Sequence, residues 1–284
     1  MGGTRTIGSR IARGCLASYA GGVIAFLLLP VIVVIPMSFN DAALFEIIPS
    51  NPSISQYSRL FHNPEWMEVL GRSIRVALAV TVLATVLGTL AALAVSRIPP
   101  RNRALVEAVF ISPQIVPSVV IAASAYYVFA WLGLAGTTLG IAITHTLIAF
   151  PFVLVIVSSR LVTLSEELSH ASSSLGAHPG QTFVYIIMPQ MALAIVSGAV
   201  LAFHVSFDEV VLALFLSGVR SKTLPVKLWD SILFEVSPML PAVSTLVLAI
   251  PLAVVLPVLL WQYRRRRKMA IGLSGPALPM SRQT

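Results

Sequence analysis

Six apolar runs alternate with short polar segments along the chain, at about 19–39, 73–96, 105–130, 138–158, 187–216 and 240–262. Roughly 20 helical residues cross a hydrocarbon core of about 30 Å, so each run is long enough to be a membrane span. The pattern predicts an all-α polytopic membrane protein with six transmembrane helices. The fifth run would extend about 45 Å if wholly helical, more than a bilayer core requires, so it must tilt, break or project. Prolines fall inside the runs, at Pro30, Pro36, Pro113, Pro117, Pro151, Pro251 and Pro257. The carbonyls they free must be re-satisfied by protein or cavity water, which favours a packed bundle with irregular backbone beside an interior path. Of the two longer polar segments, 40–72 reads as a loop punctuated by Pro49, Pro52 and Pro64. The other, 217–239, contains "TLPVKLWDSILFEVSP", which predicts a short interfacial helix presenting Trp229.

The polar positions orient the spans. Arg5, Arg10 and Arg13, then Arg97, Arg101 and Arg103, then Arg160, then Arg264 to Arg267 with Lys268 fall on one face. On the other face Arg59, Arg72, Arg75, Arg220, Lys222 and Lys227 are diluted by Asp41, Glu46, Glu65, Glu68, Asp230 and Glu235. The positive-inside rule then puts both termini in the cytoplasm. The first run is too long for a signal-peptide core and lacks a small-residue cleavage site, so it reads as a retained span. The expected organisation is a cytoplasmic N-terminus (1–18), a first span with an external loop (19–71), a transmembrane domain (72–265) carrying a cytoplasmic loop at 160–183, and a cytoplasmic tail (266–284).

Composition agrees: 57% of the 284 residues are hydrophobic and 11% charged, against roughly a quarter charged in soluble domains. The net charge of +8 sits in clusters between apolar runs and not along one polar face, so it orients spans and does not point to nucleic acid. Cys15 is the single cysteine, which rules out an internal disulfide and a thiolate metal cluster. Without a Gly-Lys dipeptide the chain has no Walker A phosphate loop. The "GLSG" at Gly272 to Gly275 lies in a polar tail with no buried histidine beside it, and no His-Glu-x-x-His motif occurs. Neither catalysis nor a cofactor is implied.

The loop after the fourth span is built as a helix. Thr163 followed by Glu166 has the form of a capping box, and Glu167 adds negative charge near the positive helix end. Leu164, Leu168, Ala171 and Leu175 make one stripe, and Gly176 stands where a left-handed cap would end it. Such a stripe lies along the membrane or its own bundle, or it docks into another protein.

At this loop a resemblance enters. "HASSSLGAHPGQTFVYIIMP" resembles the EAA loop of binding-protein-dependent ABC importer permeases: Ala171, Gly176, Ala177, Ile187 and Pro189 keep the spacing, while His170 replaces the Glu and Ser172 the second Ala. "PMSFND", "SQYSRLFHNPEW", "ISPQIVPSVVIA", "THTLIAFPFVLVIVSSRL", "SFDEVVLALFLSG" and "TLPVKLWDSILFEVSP" are similar, in order, to the second permease subunit of spermidine/putrescine-type importers. The resemblance implies a six-helix type I importer permease in a bacterial inner membrane. Its implied partners are ATPase subunits, a homologous sister permease and an external solute-binding protein. It also implies that Glu166, Glu167, Leu168, His170, Ala171, Leu175, Gly176 and Ala177 form the docking loop for an ATPase.

Asp208 and Glu209 are adjacent acids inside the fifth apolar run. A carboxylate at mid-bilayer costs about 2.5–3.5 kcal/mol, so the pair should face the bundle interior or water. The resemblance makes at least one a contact for a cationic solute; the alternative is an ion pair or cap. Tyr126, Tyr127 and Trp131 are candidate ring faces for an ammonium or, alternatively, interfacial anchors. Gln114 stands where some polyamine permeases carry an acid. His145 reads as a packing histidine more readily than as a proton relay, and His204 lies within one turn of Asp208. The expected function is the permease subunit of an importer for a small organic cation, most of all a polyamine. The alternatives are the same machine for an amino-acid derivative, thiamine or a phosphonate, or a secondary transporter.

Overall fold

The computed structural model describes residues 7–41, 46–164, 171–234 and 237–273. Its regular elements are helices: α1 (Ile7–Met37), α2 (Ser55–His62), α3 (Pro64–Ser96), α4 (Pro100–Ile111) with a 3₁₀ turn over Ser112–Gln114, α5 (Ser118–Trp131) and α6 (Thr138–Val162). Then come α7 (Pro179–Thr182), a π turn (Phe183–Ile187), α8 (Met188–Phe207), α9 (Val211–Leu216), α10 (Leu224–Phe234) and α11 (Leu240–Leu273). Among the described residues the β-type pairing is an isolated bridge between Asn40 and Pro52. Gly14–Met37, Pro64–Ser96, Thr138–Val162, Gly180–Phe207 and Leu240–Arg264 are each long and apolar enough to cross a membrane.

Three segments differ from the hydropathy reading. The third run is not one straight span but two helices, Pro100–Gln114 and Ser118–Trp131, bent by 87°. Pro117 has no N–H to give and disfavours the α region at Val116, so the helix can break there. The loop expected over 40–72 contains α2 and the first turns of α3. Asn63 starts α3 as an N-cap: its Oδ1 accepts from the N–H of Glu65 at 3.0 Å and of Trp66 at 3.3 Å, with Pro64 and Glu65 in the first turn. Charged Glu65, Glu68, Arg72 and Arg75 lower the hydropathy of those turns without breaking the helix. The fifth run breaks, one of the three outcomes its length allowed: α8 ends at Phe207 and α9 begins at Val211. The short helix expected around Trp229 is α10.

The chain divides into two compact units. In the first (Met1–Met67 with Asp230–Val247), the end of α1 is fastened to α2. Tyr57 donates to Ser38 Oγ at 2.7 Å, its ring packs on Phe39 at 5.5 Å, and Asp41 accepts from Ser55 and pairs with Arg59 at 3.8 Å.

In the second unit (Glu68–Trp229 with Leu248–Thr284), α6 packs antiparallel along α8. Gly198 sits against Val153, where an added Cβ would lie 3.2 Å from Val153 Cγ1, and a Cβ on Gly88 of α3 would lie 2.7 Å from Val153 Cβ. Val153 is fully buried between these glycines. Lipid tails are as apolar as valine, so the gain here is close backbone approach, which small residues permit. Further along the seam His145 Nδ1 meets Ser206 Oγ at 3.1 Å, both buried, which makes His145 a hydrogen-bonded packing element.

Near the Thr138 end of α6 the connecting turns are clamped. Gly136 donates to Leu216 O at 2.9 Å, Ser221 Oγ donates to Gly136 O at 2.8 Å, and Gly136 holds a φ of +76°, which favours glycine. Buried Arg72 pairs with Glu68 and donates to Lys222 O at 2.9 Å, while Leu224 N–H donates to Ser73 Oγ at 2.6 Å. These bonds tie the start of α10 to α3.

Candidate functional site

Two places carry polar groups that the packing seam does not use. The first is the break after α8. Asp208 closes the helix with φ −93° and ψ −3°, its N–H donating to His204 O at 3.1 Å, and its side chain is exposed. Glu209 is half-buried, and its Oε1 accepts from Leu212 N–H at 3.0 Å, so this acid caps the first turn of α9. The two acids therefore lie at a helix break and not as neighbours on one helix. Arg59–Asp41, Arg72–Glu68 and Arg103–Glu107 are ion pairs, and neither Asp208 nor Glu209 takes part in one among the described residues. His204 and Asp208 do not form one; they are joined through the backbone alone.

The register of the seam gives the depth of this break. Gly198 lies opposite Val153 and Ser206 opposite His145. Asp208 is thus level with about Ile143, roughly 7 Å along the axis from the Thr138 end of α6. It sits inside the apolar stretch but toward one end.

Gln114 lies at the other break, as the exposed last residue of the 3₁₀ turn before α5. Tyr126, Tyr127 and Trp131 are exposed on α5, the helix against which α9 packs. No hydrogen bond or ring contact joins Asp208 to Gln114 or to Tyr126 among the described residues. No group of three His, Cys, Asp or Glu side chains with metal-holding geometry occurs among the described residues. Outside the spans, Glu46 accepts from the backbone N–H and then the hydroxyl of Ser50, which holds its carboxyl below the ordinary glutamate range.

The second place is the loop between α6 and α7. Glu166, Glu167, Leu168 and His170 lie outside the described residues. Thr163 does not take the extended N-cap conformation expected of it. It ends α6 with φ −89° and ψ −3°, and its hydroxyl donates to Arg160 O at 2.8 Å. The far end of the loop follows the expectation. Gly176 has φ +81°, its N–H donates to Ser173 O at 3.0 Å, and Ala177 N–H donates to Ser172 O at 3.1 Å. That pair of bonds is a Schellman motif, which only glycine enters without steric cost. Ala171 is exposed and Leu175 is 88% exposed, so the last part of the stripe is not covered by the chain itself.

Two features of this loop escaped the sequence reading. Ser172, where the second Ala of the EAA pattern would be, is buried with its Oγ 2.8 Å from Thr182 Oγ1, which fastens the loop to α7. The next helix starts with a reciprocal cap: His178 N–H donates to Gln181 Oε1 at 2.9 Å, and Gly180 N–H donates to His178 Nδ1 at 3.3 Å. The signal was present in "HPGQ", with proline at the first helical position and glutamine two residues later, but histidine in the cap position hid it.

Residues 84–271 match the family model of the binding-protein-dependent transport system inner membrane component. The chain belongs to that family. It is accordingly a transport subunit and not an enzyme, and a multi-pass protein of the inner membrane. Among its relatives, the spermidine/putrescine transport system permease protein PotC of Escherichia coli (strain K12) is 30% identical over 247 residues, 87% of this chain and 92% of PotC. The putrescine transport system permease protein PotI of the same strain is 31% identical over 230 residues, 78% of this chain and 82% of PotI. The crystal structure of a bacterial ABC transporter involved in the import of the acidic polysaccharide alginate contains a chain that superposes with a TM-score of 0.69 at 18% identity, over 91% of this chain and 98% of that one. The fold is therefore that of an ABC importer permease.

Proposed function

We propose that this permease forms the translocation path of an ATP-driven importer for a small organic cation, a polyamine being the best fit. The observation that carries the reading is Asp208. It is an exposed carboxylate at a helix break in an apolar stretch, outside every ion pair among the described residues, in a chain 30% identical to PotC and 31% to PotI. An exposed charge within the apolar zone is costly unless water, a partner subunit or a cationic ligand meets it. Asp208 is the solute contact; Glu209, already engaged as a cap, is secondary, and Tyr126 supplies a ring face.

The loop over 163–180 docks onto an ATPase subunit through Leu168, Leu175 and the flanking residues, with Glu166, Glu167, His170, Ala171, Gly176 and Ala177 shaping the contact. Exposed Leu175 and the glycine-capped end of the helix support this reading. The bundle pairs with a sister permease, the termini are cytoplasmic, and a binding protein delivers solute from the external side, to which the polar segments 40–72 and 217–239 are assigned. Gln114 favours a second reading, the same machine for a less charged solute, because it offers an amide where a polyamine site gains from an acid. ATP-dependent uptake of putrescine or spermidine into proteoliposomes holding the complex and its binding protein tests the assignment. Uptake that persists without an ATPase would overturn it, as would uptake confined to an uncharged or anionic solute.

A further inference from the structure

A groove of about 780 Å³ opens between α6, α8 and α11 at the ends of these helices nearest the 163–180 loop. Its polar wall is Arg160, Thr163, Gln190, Ser197 and Gln262; its apolar wall includes Ile156 and Leu193. Hydrogen bonds to side chains and to the main chain hold Arg160 and Gln262 in place. Arg160 Nε donates to Gln190 O at 3.3 Å and its Nη1 to Thr163 Oγ1 at 3.2 Å. Gln262 Nε2 donates to Ser197 Oγ at 2.9 Å.

These bonds orient the guanidinium without neutralising it. Its two acceptors are a carbonyl and a hydroxyl, no described carboxylate lies within ion-pair distance, and N–H groups of the fork remain. The position along the membrane axis is informative as well. Arg160 is in the last turn of α6, Gln190 in the first turn of α8, and Gln262 is followed by Arg264 to Arg267 and Lys268. The groove thus has its charge at the level where three apolar runs end, and its apolar wall points back along them.

A guanidinium held at that depth, with the second N–H of the Gln190 amide and of the Gln262 amide in the same groove and Ile156 and Leu193 on its apolar wall, matches the phosphodiester and first acyl carbons of an anionic phospholipid. The sign excludes the solute: a guanidinium repels the organic cation that the transport reading assigns. We infer that this groove is a binding site for an anionic phospholipid of the cytoplasmic leaflet, with the phosphate on Arg160 and its donors and the chain along Ile156 and Leu193.

The inference rests on the orientation proposed above and not on the solute. Labelling of Cys15 by a membrane-impermeant thiol reagent, from one side or the other, tests that orientation separately. The test of the site itself is native mass spectrometry of the whole transporter complex, delipidated and then offered phosphatidylglycerol and phosphatidylethanolamine in equal amounts. The wild-type complex is expected to retain phosphatidylglycerol in preference, and Arg160→Gln to lower that retention about fivefold. Arg160→Lys should recover part of it, and Arg220→Gln should leave it unchanged. Where Arg160→Gln fails to assemble, Gln262→Glu carries the same test, since it adds a repelling charge and leaves Arg160 in place. Equal retention of the two lipids overturns the inference, as does retention unaffected by Arg160→Gln and Gln262→Glu. Displacement by excess inorganic phosphate makes the groove a free-phosphate site, and a disulfide from Thr163→Cys to the sister subunit shows that protein covers it; either result overturns the lipid assignment.

Discussion

The α6–α8 seam and the break that follows it lie on the same pair of helices and obey opposite rules. Along the seam, Gly88 and Gly198 close on Val153 and even the polar pair His145–Ser206 is turned inward and bonded. Four residues beyond His204 the helix stops, the backbone turns, and an acid is left exposed. Small residues fix the distance between helices, whereas an interrupted helix releases a charged side chain at a chosen depth. The contrast teaches that close-packed small residues set the helices together, while the break leaves a carboxylate available at its level, which is where the proposed solute contact lies.

Substitutions separate the two. The largest effect is expected at Gly88: the Cβ of Gly88→Ala would lie 2.7 Å from Val153 Cβ, so the helices must part, and overpacking of this kind costs about 1–3 kcal/mol. The yield and melting temperature of the purified complex should fall, while Gly71→Ala, with nothing within 4 Å, should match wild type. Equal melting of both variants would show that the seam is loose. Next is Leu175→Asp, which places a charge on the exposed end of the loop stripe. Co-purification of the ATPase should drop about tenfold or more, the cost of burying an unpaired charge at an interface, with permease yield retained. Gly176→Ala forces a Cβ into the left-handed region at about 1–2 kcal/mol. It should lower uptake several-fold while the complex still assembles, measured as transport per ATP hydrolysed. The smallest effect is expected at the hydroxyl pair. Ser172→Ala leaves Thr182 buried without that partner, at about 1 kcal/mol, and Ser172→Ala with Thr182→Ala should recover most of the loss in a thermal melt.

Much of this arrangement was legible in the sequence, for reasons that differ by element. Spans read well because a bilayer demands length and apolarity, which hydropathy measures directly. Gly176 read well because a left-handed cap narrows the choice of residue almost to one. The 87° bend was less visible: prolines mark where a helix can break, but whether it bends there or runs on is decided by neighbours such as α9 packing on α5. The start of α3 was hidden because its first turns are charged, although Asn63, Pro64 and Glu65 carried a capping signal. The Arg160–Gln190–Gln262 groove was invisible, since its residues come from three helices far apart in sequence and meet only through packing. Asp208 stood out as an acid in an apolar run, while the structural distinction between it and Glu209 needed the cap to Leu212.

The most direct test of the central claim is uptake of labelled spermidine or putrescine into proteoliposomes containing the complete importer with Asp208→Asn. Binding-protein-stimulated ATP hydrolysis is followed in the same vesicles. Loss of a charge-assisted contact worth about 1.5–3 kcal/mol predicts a fall in uptake at sub-saturating solute of about tenfold or more, with assembly intact and ATP hydrolysis still stimulated. Uptake equal to wild type would contradict the account and remove Asp208 from the solute path.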